Sequence, residues 1–243
     1  MEKIVDKNIG AIVAQDYRTA AIFEKFGIDF CCNGRRSIEK ACNEKQINPI
    51  EVYNALDTLN IITSDDTDYQ LWSLDVLANY IENSHHKYVE EKIPVLLQYL
   101  DKINKVHGLK HPELDKVYNL FRGSAAELTM HMKKEELILF PYIKKMVSSK
   151  KHNQIVSLPV FETVQNPIQL MMNEHDNEGE RFRQIEILTN GYTPPEDACS
   201  TYSVAFSLLK EFQDDLHKHI HLENNILFPG AEKLEEELLS YKD

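Results

Sequence analysis

The sequence contains few cysteines and no long apolar run, and both shortages exclude classes of protein. Its 243 residues include four cysteines, too few for a disulfide scaffold in a chain of this length. No apolar stretch approaches the roughly 20 residues that a membrane-spanning helix needs. The opening segment MEKIVDKNIGAIVAQD is interrupted by charged residues and lacks the apolar core of an export signal. We therefore expect free thiols and a cytoplasmic location.

Positive charge and glycine are also scarce. The 27 lysines and arginines are outnumbered by 39 aspartates and glutamates, which gives a formal net charge of -12. Electrostatic capture of a phosphate backbone or an anionic bilayer is therefore disfavoured, and we expect neither nucleic acid nor membrane as a partner. Eight glycines and a shortage of alternating β-branched residues disfavour a sheet protein, so the sequence predicts an all-α fold.

Residues 1–62 are predicted to form a small helical domain. Residues 63–70, the short acidic segment TSDDTDYQ, are predicted to be a linker, and residues 71–243 form the second predicted domain. Three helices are expected in the first domain: DYRTAAIFEKFG, which Gly27 ends, SIEKACNEKQ, with Ser37 as its N-cap, and NPIEVYNALDTL, which Asn48 and Pro49 open.

Four long helical stretches make up the second domain. The first runs from Ser73 to about Gly108, with Pro94 expected to kink it. The other three begin at Pro112, at Asn166-Pro167 and at Pro194-Pro195. Short connections between long amphipathic helices favour an antiparallel four-helix bundle. A solenoid is the alternative, but repeat arrays usually need three or more copies, and the one phrase that recurs here occurs twice.

That phrase is HMKKEELILFP at His131–Pro141 and HIHLENNILFP at His219–Pro229. In each copy a histidine and a glutamate four residues later lie on one face of a helix, beside apolar residues that place them toward the core. Buried polar groups need partners, and a metal ion satisfies an imidazole and a carboxylate together. A surface contact on a metal-free bundle is the alternative, but two matching copies favour a metal site.

The other two long helices each carry a histidine near the middle, His86 and His175. All four helices then contribute, and four imidazoles with two carboxylates are the ingredients of a two-metal site in a bundle core. The ferritin-like recipe differs, because it takes a glutamate from two helices and Glu-x-x-His from the other two. Histidine-rich ligation fits non-haem iron better than calcium or magnesium, whereas manganese stays an alternative.

Five segments carry a resemblance to a known family. They are, in order, DFCCNG from Asp29, HHKYVEEKIP, HMKKEELILFP, NEHDNEGE and HIHLENNILFP. The second domain resembles the hemerythrin-like domain, and the whole chain resembles the di-iron proteins of iron–sulfur cluster repair, the repair of iron centres family. This resemblance implies two non-haem iron ions joined by an oxo or hydroxo bridge. Matched segment by segment, the implied ligands are His86, His131, Glu135, His175, His219 and Glu223.

In the resemblance, Glu135 and Glu223 bridge the two irons, and two histidines hold each iron. The implied function is the repair of iron–sulfur clusters damaged by nitric oxide or oxidative stress, through iron donation or nitric oxide processing. Damaged or apo iron–sulfur proteins, and small ligands such as nitric oxide or oxygen, are the expected partners. An oxygen- or nitric-oxide-binding module without turnover is the alternative. Catalytic turnover and a homodimer are left open.

Further histidines lie near the implied ligands. His85 adjoins His86, but one residue is about 100° around a helix, so both rings cannot face the same metal, and the matching family position selects His86. His217 and His221 lie near the face opposite His219 and are expected at the surface. Surface exposure is also expected of His107, His111 and His152.

Cys31 and Cys32 are adjacent, and the resemblance favours a functional role for them, so we predict them to be the catalytic thiols. The alternative is two small buried residues, and a functional pair could be a redox couple or a soft ligand for iron. Arg35 and Arg36 follow, and nearby cations lower the pKa of a thiol.

Four other residues have open roles. Glu127 and Glu174 are either surface acids or groups that orient a ligand or carry protons and iron. Cys42 is a candidate to assist the cysteine pair, and Cys199 is expected to be structural.

Overall fold

Helices account for all the regular structure in the part of the chain that the structure, a computed structural model, describes. The described residues are 8–59, 68–157 and 159–240. The predicted all-α class is confirmed. Within the same ranges, no helix combines the length and the hydropathy that a bilayer crossing requires.

Short helices form the first part of the chain, and polar side chains set where they begin. Ser37 Oγ accepts a hydrogen bond from the N–H of Lys40 at 3.2 Å, and Asn48 Oδ1 accepts one from Ile50 at 3.1 Å, as N-caps do. Both predicted starts are confirmed. The helices are α1 (Ile9–Gln15), α2 (Thr19–Lys25), α3 (Ile38–Lys45) and α4 (Pro49–Leu59).

Two features of this region differ from the prediction. α1 is not among the predicted helices, and α2 begins at Thr19 rather than at Asp16. The Asp16 carboxylate accepts hydrogen bonds from the backbone and the guanidinium of Arg18, at 3.1 and 2.9 Å, and this local pairing holds the segment outside the helix. Gly27 ends the region of α2 as predicted, because its φ of +62° is a conformation that glycine adopts at little cost.

The four long helices follow, and three of them contain a π-helical turn. α5 comprises Leu74–Ile81, the π turn Glu82–His86 and Lys87–His107, and α6 comprises Glu113–Lys134, the π turn Glu135–Leu139 and Phe140–Lys151. α7 spans Gln165–Leu188, and α8 comprises Ser200–Leu222, the π turn Glu223–Leu227 and Phe228–Ser240.

α8 begins about five residues later than predicted. Pro195 is followed by a turn that the Ala198 N–H closes on the Pro195 carbonyl at 3.0 Å, and Cys199, in an extended conformation, is the N-cap. A proline pushes the residue before it away from helical backbone angles, so the Pro194-Pro195 pair precedes the helix instead of opening it.

Two apolar clusters fill the bundle, and each long helix passes from one cluster to the other. α5 and α7 run from a cluster that contains Phe140 and Phe228 into one that contains Phe121 and Phe212, whereas α6 and α8 run the opposite way. Successive helices are therefore antiparallel, and the predicted four-helix bundle is confirmed. The crossing from one cluster to the other occurs at the same level in all four helices, which is where the repeated phrase of α6 and α8 lies.

The short helices pack on the bundle beside α8: α1 contacts the π turn Glu223–Leu227, and Phe30 packs on the rings of His217 and His221. Phe23 of α2 and Phe30 belong to the same apolar cluster as Phe121 and Phe212. The predicted linker lies mostly outside the described residues. Of its last three residues, Asp68 caps a 3₁₀ turn, Tyr69–Leu71, and the other two belong to that turn. The division of the chain into two domains stays a prediction.

Candidate metal centre

The six residues implied as ligands converge where the two apolar clusters meet. At most 2 % of any of them is exposed to solvent. Polar side chains buried to this extent require partners or a bound ion. The six are His86 on α5, His131 and Glu135 on α6, His175 on α7, and His219 and Glu223 on α8.

These residues form two overlapping groups that share both glutamates. His86 and His219 belong to one group, and His131 and His175 to the other; within each group the ligand atoms all lie within 4.8 Å of one another. Glu135 Oε2 lies 3.4 Å from Nε2 of both His86 and His131. The arrangement offers two adjacent cation positions, each with two imidazoles and a share of two carboxylates.

The π-helical turns occur at these ligands. Glu135 and Glu223 each begin a π turn, and His86 ends one. Such a turn holds one residue more than an α turn and is often found at functional sites. It rotates the following residues around the axis, so that Glu135 before the rotation and Phe140 after it both point into the core.

Several of the potential ligand atoms make no hydrogen bond to a described residue, although ionisable neighbours lie close, such as His175 Nε2 at 3.1 Å from Glu223 Oε2. His86 Nε2, both carboxylate oxygens of Glu135 and Glu223 Oε2 are buried without a hydrogen bond. Orphaned buried polar atoms are uncommon in folded proteins and costly. Cations placed between these atoms would satisfy all of them, and the imidazole and carboxylate donors suit a transition metal.

The charges of the two glutamates also favour a bound cation. Burial, and next the nearby Glu223 carboxylate, raise the pKa of Glu135 to about 7. Burial also acts to raise the pKa of Glu223, but the His219 and His175 rings hold it well below its usual range. Two carboxylates this close repel each other when both are ionised, and a bound cation reverses that effect.

Three of the histidines are oriented by a neighbour at Nδ1. His86 Nδ1 donates to Glu136 Oε1 at 3.0 Å, and His175 Nδ1 donates to Asn224 Oδ1 at 2.9 Å. These bonds leave Nε2 free to bind a metal and fix the direction of the ring. Glu136 and Asn224 each follow the glutamate of the repeated phrase, a position that sequence reasoning overlooked because the residue type differs between the copies.

Glu174 and Glu127, whose roles the sequence left open, are now distinguished. Glu174 Oε2 accepts a hydrogen bond from His131 Nδ1 at 2.8 Å, and this bond, together with Lys134, lowers the pKa of Glu174 to about 2. Glu127 is exposed and pairs with Arg181 at 2.8 Å. Glu174 therefore orients the ring of His131, an implied ligand, whereas Glu127 is a surface acid.

Replacing Glu174 with alanine is expected to weaken metal binding without emptying the site. Loss of a group that orients a ligating histidine typically costs 10- to 100-fold in affinity. Competition with a coloured chelator measures this directly. Glu127→Ala is the matched control, since it removes a nearby carboxylate that touches no ligand, and equal losses in the two variants would refute the orienting role.

The remaining histidines agree only partly with expectation. His85 lies outside both groups, as predicted; it is buried, contacts Asp215 Oδ1 at 2.9 Å and stacks on the His219 ring. The predicted surface position of His221 is wrong, because Tyr17 and Phe30 of the first part of the chain cover its ring. Burial lowers the pKa of His221 to about 3, so it stays neutral.

The other predicted surface histidines vary in exposure. His152 is exposed, His217 is half-buried and lies 3.5 Å from Glu24 Oε1, and His107 and His111 are half-buried because their rings pack on Tyr202.

The cysteine pair lies beside the candidate centre. All four cysteines, which fall within the described residues, are free thiols. Cys31 Sγ and Cys32 Sγ lie 3.8 Å apart, and the Cys32 thiol donates to the backbone carbonyl of His175 at 3.4 Å. Cys42 is buried in the core at α3, and Cys199 is exposed, with its Sγ 3.3 Å from His107 Nε2.

The expected lowering of thiol pKa by neighbouring arginines is wrong for Cys31. The hydrogen bond with Cys32, burial and the nearby Asp29 carboxylate instead raise the pKa of Cys31 well above its usual value. Arg36 pairs with Glu44, and Arg35 lies against Met172, so each cation interacts elsewhere.

A glycine on α7 makes room for the cysteine pair. A Cβ at Gly179 would lie 3.0 Å from Cys32 Sγ, whereas a Cβ at Gly123 on α6 would be 3.6 Å from its nearest neighbour, Arg181. In helices, glycine costs up to about 1 kcal/mol relative to alanine. Gly123→Ala is therefore expected to stabilise the protein, and Gly179→Ala to gain less or to destabilise it. Urea unfolding measures both, and equal gains would show that Cys32 does not pack on α7 as described.

Comparisons with known proteins agree with this geometry. Residues 79–231 match the hemerythrin HHE cation binding domain, and residues 5–60 match ScdA_N, described as a domain of unknown function. The chain is 34 % identical over 230 residues to the iron–sulfur cluster repair protein YtfE of Pectobacterium atrosepticum, covering 93 % of this chain and 96 % of that protein. It is 30 % identical over 230 residues to the iron–sulfur cluster repair protein ScdA of Staphylococcus epidermidis, covering 93 % and 98 %. The chain therefore belongs to the iron–sulfur cluster repair protein family and contains a hemerythrin HHE cation-binding domain.

Proposed function

We propose that the two groups of buried ligands hold two iron ions. His86 and His219 would bind one ion, His131 and His175 the other, and Glu135 and Glu223 would bridge them. The observation that carries this proposal is the pair of overlapping groups built on the same two carboxylates. Oxygen and imidazole donors suit iron that changes oxidation state, and iron held here would supply redox chemistry and binding positions for a small molecule such as nitric oxide or oxygen.

The protein would use this centre to restore damaged iron–sulfur clusters. The names of its relatives, iron–sulfur cluster repair proteins, support this role. Its substrates would be damaged or apo iron–sulfur proteins in the cytoplasm, with iron as the cargo. The cysteine pair next to His175 would supply thiol chemistry during the transfer.

Protonation of a bridging carboxylate would weaken the binding of iron and so favour its release. Metal binding releases protons from its ligands, so proton uptake favours release. In the metal-free site, burial and the nearby Glu223 carboxylate raise the pKa of Glu135 to about 7, so Glu135 is the glutamate that takes up a proton more readily once the cation has left. Glu135 contacts ligands of both groups, so a change at this one side chain affects both ions.

Iron transfer to an apo iron–sulfur protein tests the proposal. The iron-loaded parent should restore the acceptor's cluster in the presence of sulfide, whereas His131→Ala and Glu135→Ala variants should not. His152→Ala, which changes an exposed histidine just after the last residue of α6, is the matched control and should transfer iron as the parent does. Equal repair by all four proteins would show that repair does not need the metal centre.

Reversible binding of oxygen or nitric oxide without iron loss is a second candidate. It is favoured by the donor count, since each group offers four protein donors and six-coordinate iron has room for more. The two functions differ in the same assay, because a ligand-binding module would retain its iron while the acceptor stays empty.

A further inference from the structure

We propose that Cys31, Cys32 and Asp29 form a third metal site, which takes one thiophilic divalent cation beside the histidine–glutamate centre. Their ligand atoms lie within 4.8 Å of one another. This site can bind its cation while the histidine–glutamate centre keeps its own ligands and ions. A role for this site in binding iron transiently during transfer to an acceptor rests on the proposed function. Its capacity to bind a cation does not depend on that function.

The spacing of the two sulfurs suits chelation. Metal–thiolate bonds in tetrahedral sites are about 2.3 Å long, so two thiolates on one ion lie about 3.8 Å apart. The Sγ atoms of Cys31 and Cys32 are separated by 3.8 Å. A disulfide requires an S–S distance of about 2.05 Å, so the pair is closer to the geometry of a shared cation than to that of a bond between the sulfurs.

Asp29 fixes this geometry and offers an oxygen donor. Its Oδ1 accepts hydrogen bonds from the backbone N–H groups of Cys31 and Cys32 at 3.1 and 3.0 Å, and lies 3.4 Å from Cys31 Sγ. Its Oδ2 is held by Arg183 at 3.1 Å. Because both thiols are oriented before a cation arrives, binding pays little conformational entropy.

The pair lies between a surface cavity and the histidine–glutamate centre. On one side, a cavity of about 350 Å³ is lined by Asp29, Cys31 and Arg183, among others. On the other side, Cys32 Sγ contacts the His175 carbonyl. Asn224 joins the two sites, since it accepts from His175 Nδ1 at 2.9 Å and its amide lies 3.4 Å from the Cys31 carbonyl oxygen. A cation moving from the centre to this cavity would pass the two sulfurs.

Binding at the site involves no change of oxidation state. The cation forms one bond to each sulfur, and each thiol loses its proton to solvent, so one divalent ion replaces two protons. Soft sulfur donors select thiophilic ions such as Fe²⁺, Zn²⁺ and Cd²⁺ over magnesium or calcium.

Cadmium titration of the iron-loaded, reduced full chain tests the site. All proteins carry Cys199→Ala, which removes the exposed thiol that contacts His107. We expect the ultraviolet band of cadmium thiolate to saturate at one Cd²⁺ per chain, and Cys32→Ala to abolish it while iron content and circular dichroism stay unchanged. Cys32 is chosen because it is half-buried, whereas Cys31 is buried. A titration without a saturable band, or a band that survives Cys32→Ala, would overturn the site.

A second readout separates the site from its role in transfer. If the pair binds iron during transfer, Cys32→Ala will keep the iron of the first centre but deliver it to an apo iron–sulfur protein more slowly. Unchanged delivery overturns the role.

Should Cd²⁺ not bind while the parent still repairs clusters, this inference fails and the proposed function stands. Should Cd²⁺ bind while His131→Ala repairs as the parent does, the proposed function fails and the site stands.

Discussion

Glu135→Ala is expected to reduce bound iron from about two ions per chain to fewer than one. Glu135 belongs to both groups of ligands, so one substitution removes a donor from both ions. His86→Ala, by contrast, removes a donor from one group and should leave about one ion. Elemental analysis of the purified variants after growth with ample iron measures this difference.

Two controls show whether the loss of iron is specific to Glu135. Glu127→Ala, which removes an exposed carboxylate of the same helix, should retain the iron content of the parent. Far-ultraviolet circular dichroism should show the same helical content in every variant. If Glu135→Ala kept both ions, or if Glu135→Ala and His86→Ala lost the same amount, the shared role of Glu135 would be wrong.

Removal of the metal is expected to lower the melting temperature substantially. Without cations, the core contains buried atoms of His86, Glu135 and Glu223 that make no hydrogen bond, and two neighbouring carboxylates repel each other when both are ionised. A ligand at about 1,000 times its dissociation constant stabilises a protein by about 4 kcal/mol. At about 2–4 °C per kcal/mol for a chain of this size, the expected shift is roughly 8–16 °C.

Thermal unfolding followed by circular dichroism, before and after treatment with a chelator, gives this shift. The Glu135→Ala variant is the internal control: it should melt at the same temperature with and without chelator, because it has little metal to lose. Equal melting temperatures of the loaded and the chelated parent would mean that the buried polar residues are stable without a cation.

The repeated phrase made the centre predictable because it obeys a local rule. A histidine and a glutamate four residues apart share one face in any helix, so the pairing within α6 and within α8 needed no tertiary information. The choice of His86 over His85 needed the family resemblance. In the structure, the His86 ring lies in the group with Glu135, whereas His85 contacts Asp215; that His86 binds a metal stays a prediction.

Other features depend on contacts that the sequence does not express. His221 is two residues from His219, and helical geometry alone points it to the surface; it is buried because Phe30 and Tyr17, about 200 residues earlier in the chain, cover it. The effect of Arg36 on the thiols was misjudged for the same reason, since Glu44 pairs with it. The spacing of apolar residues does not predict the π turns, which are seen only in the backbone of the structure.

Iron content and iron X-ray absorption of the purified parent test the central claim most directly. We predict about two iron ions per chain, coordinated by oxygen and imidazole nitrogen, with a second iron as a near neighbour of each. Protein from iron-replete cells that contains no bound metal, or a single iron without a neighbouring iron, would contradict it.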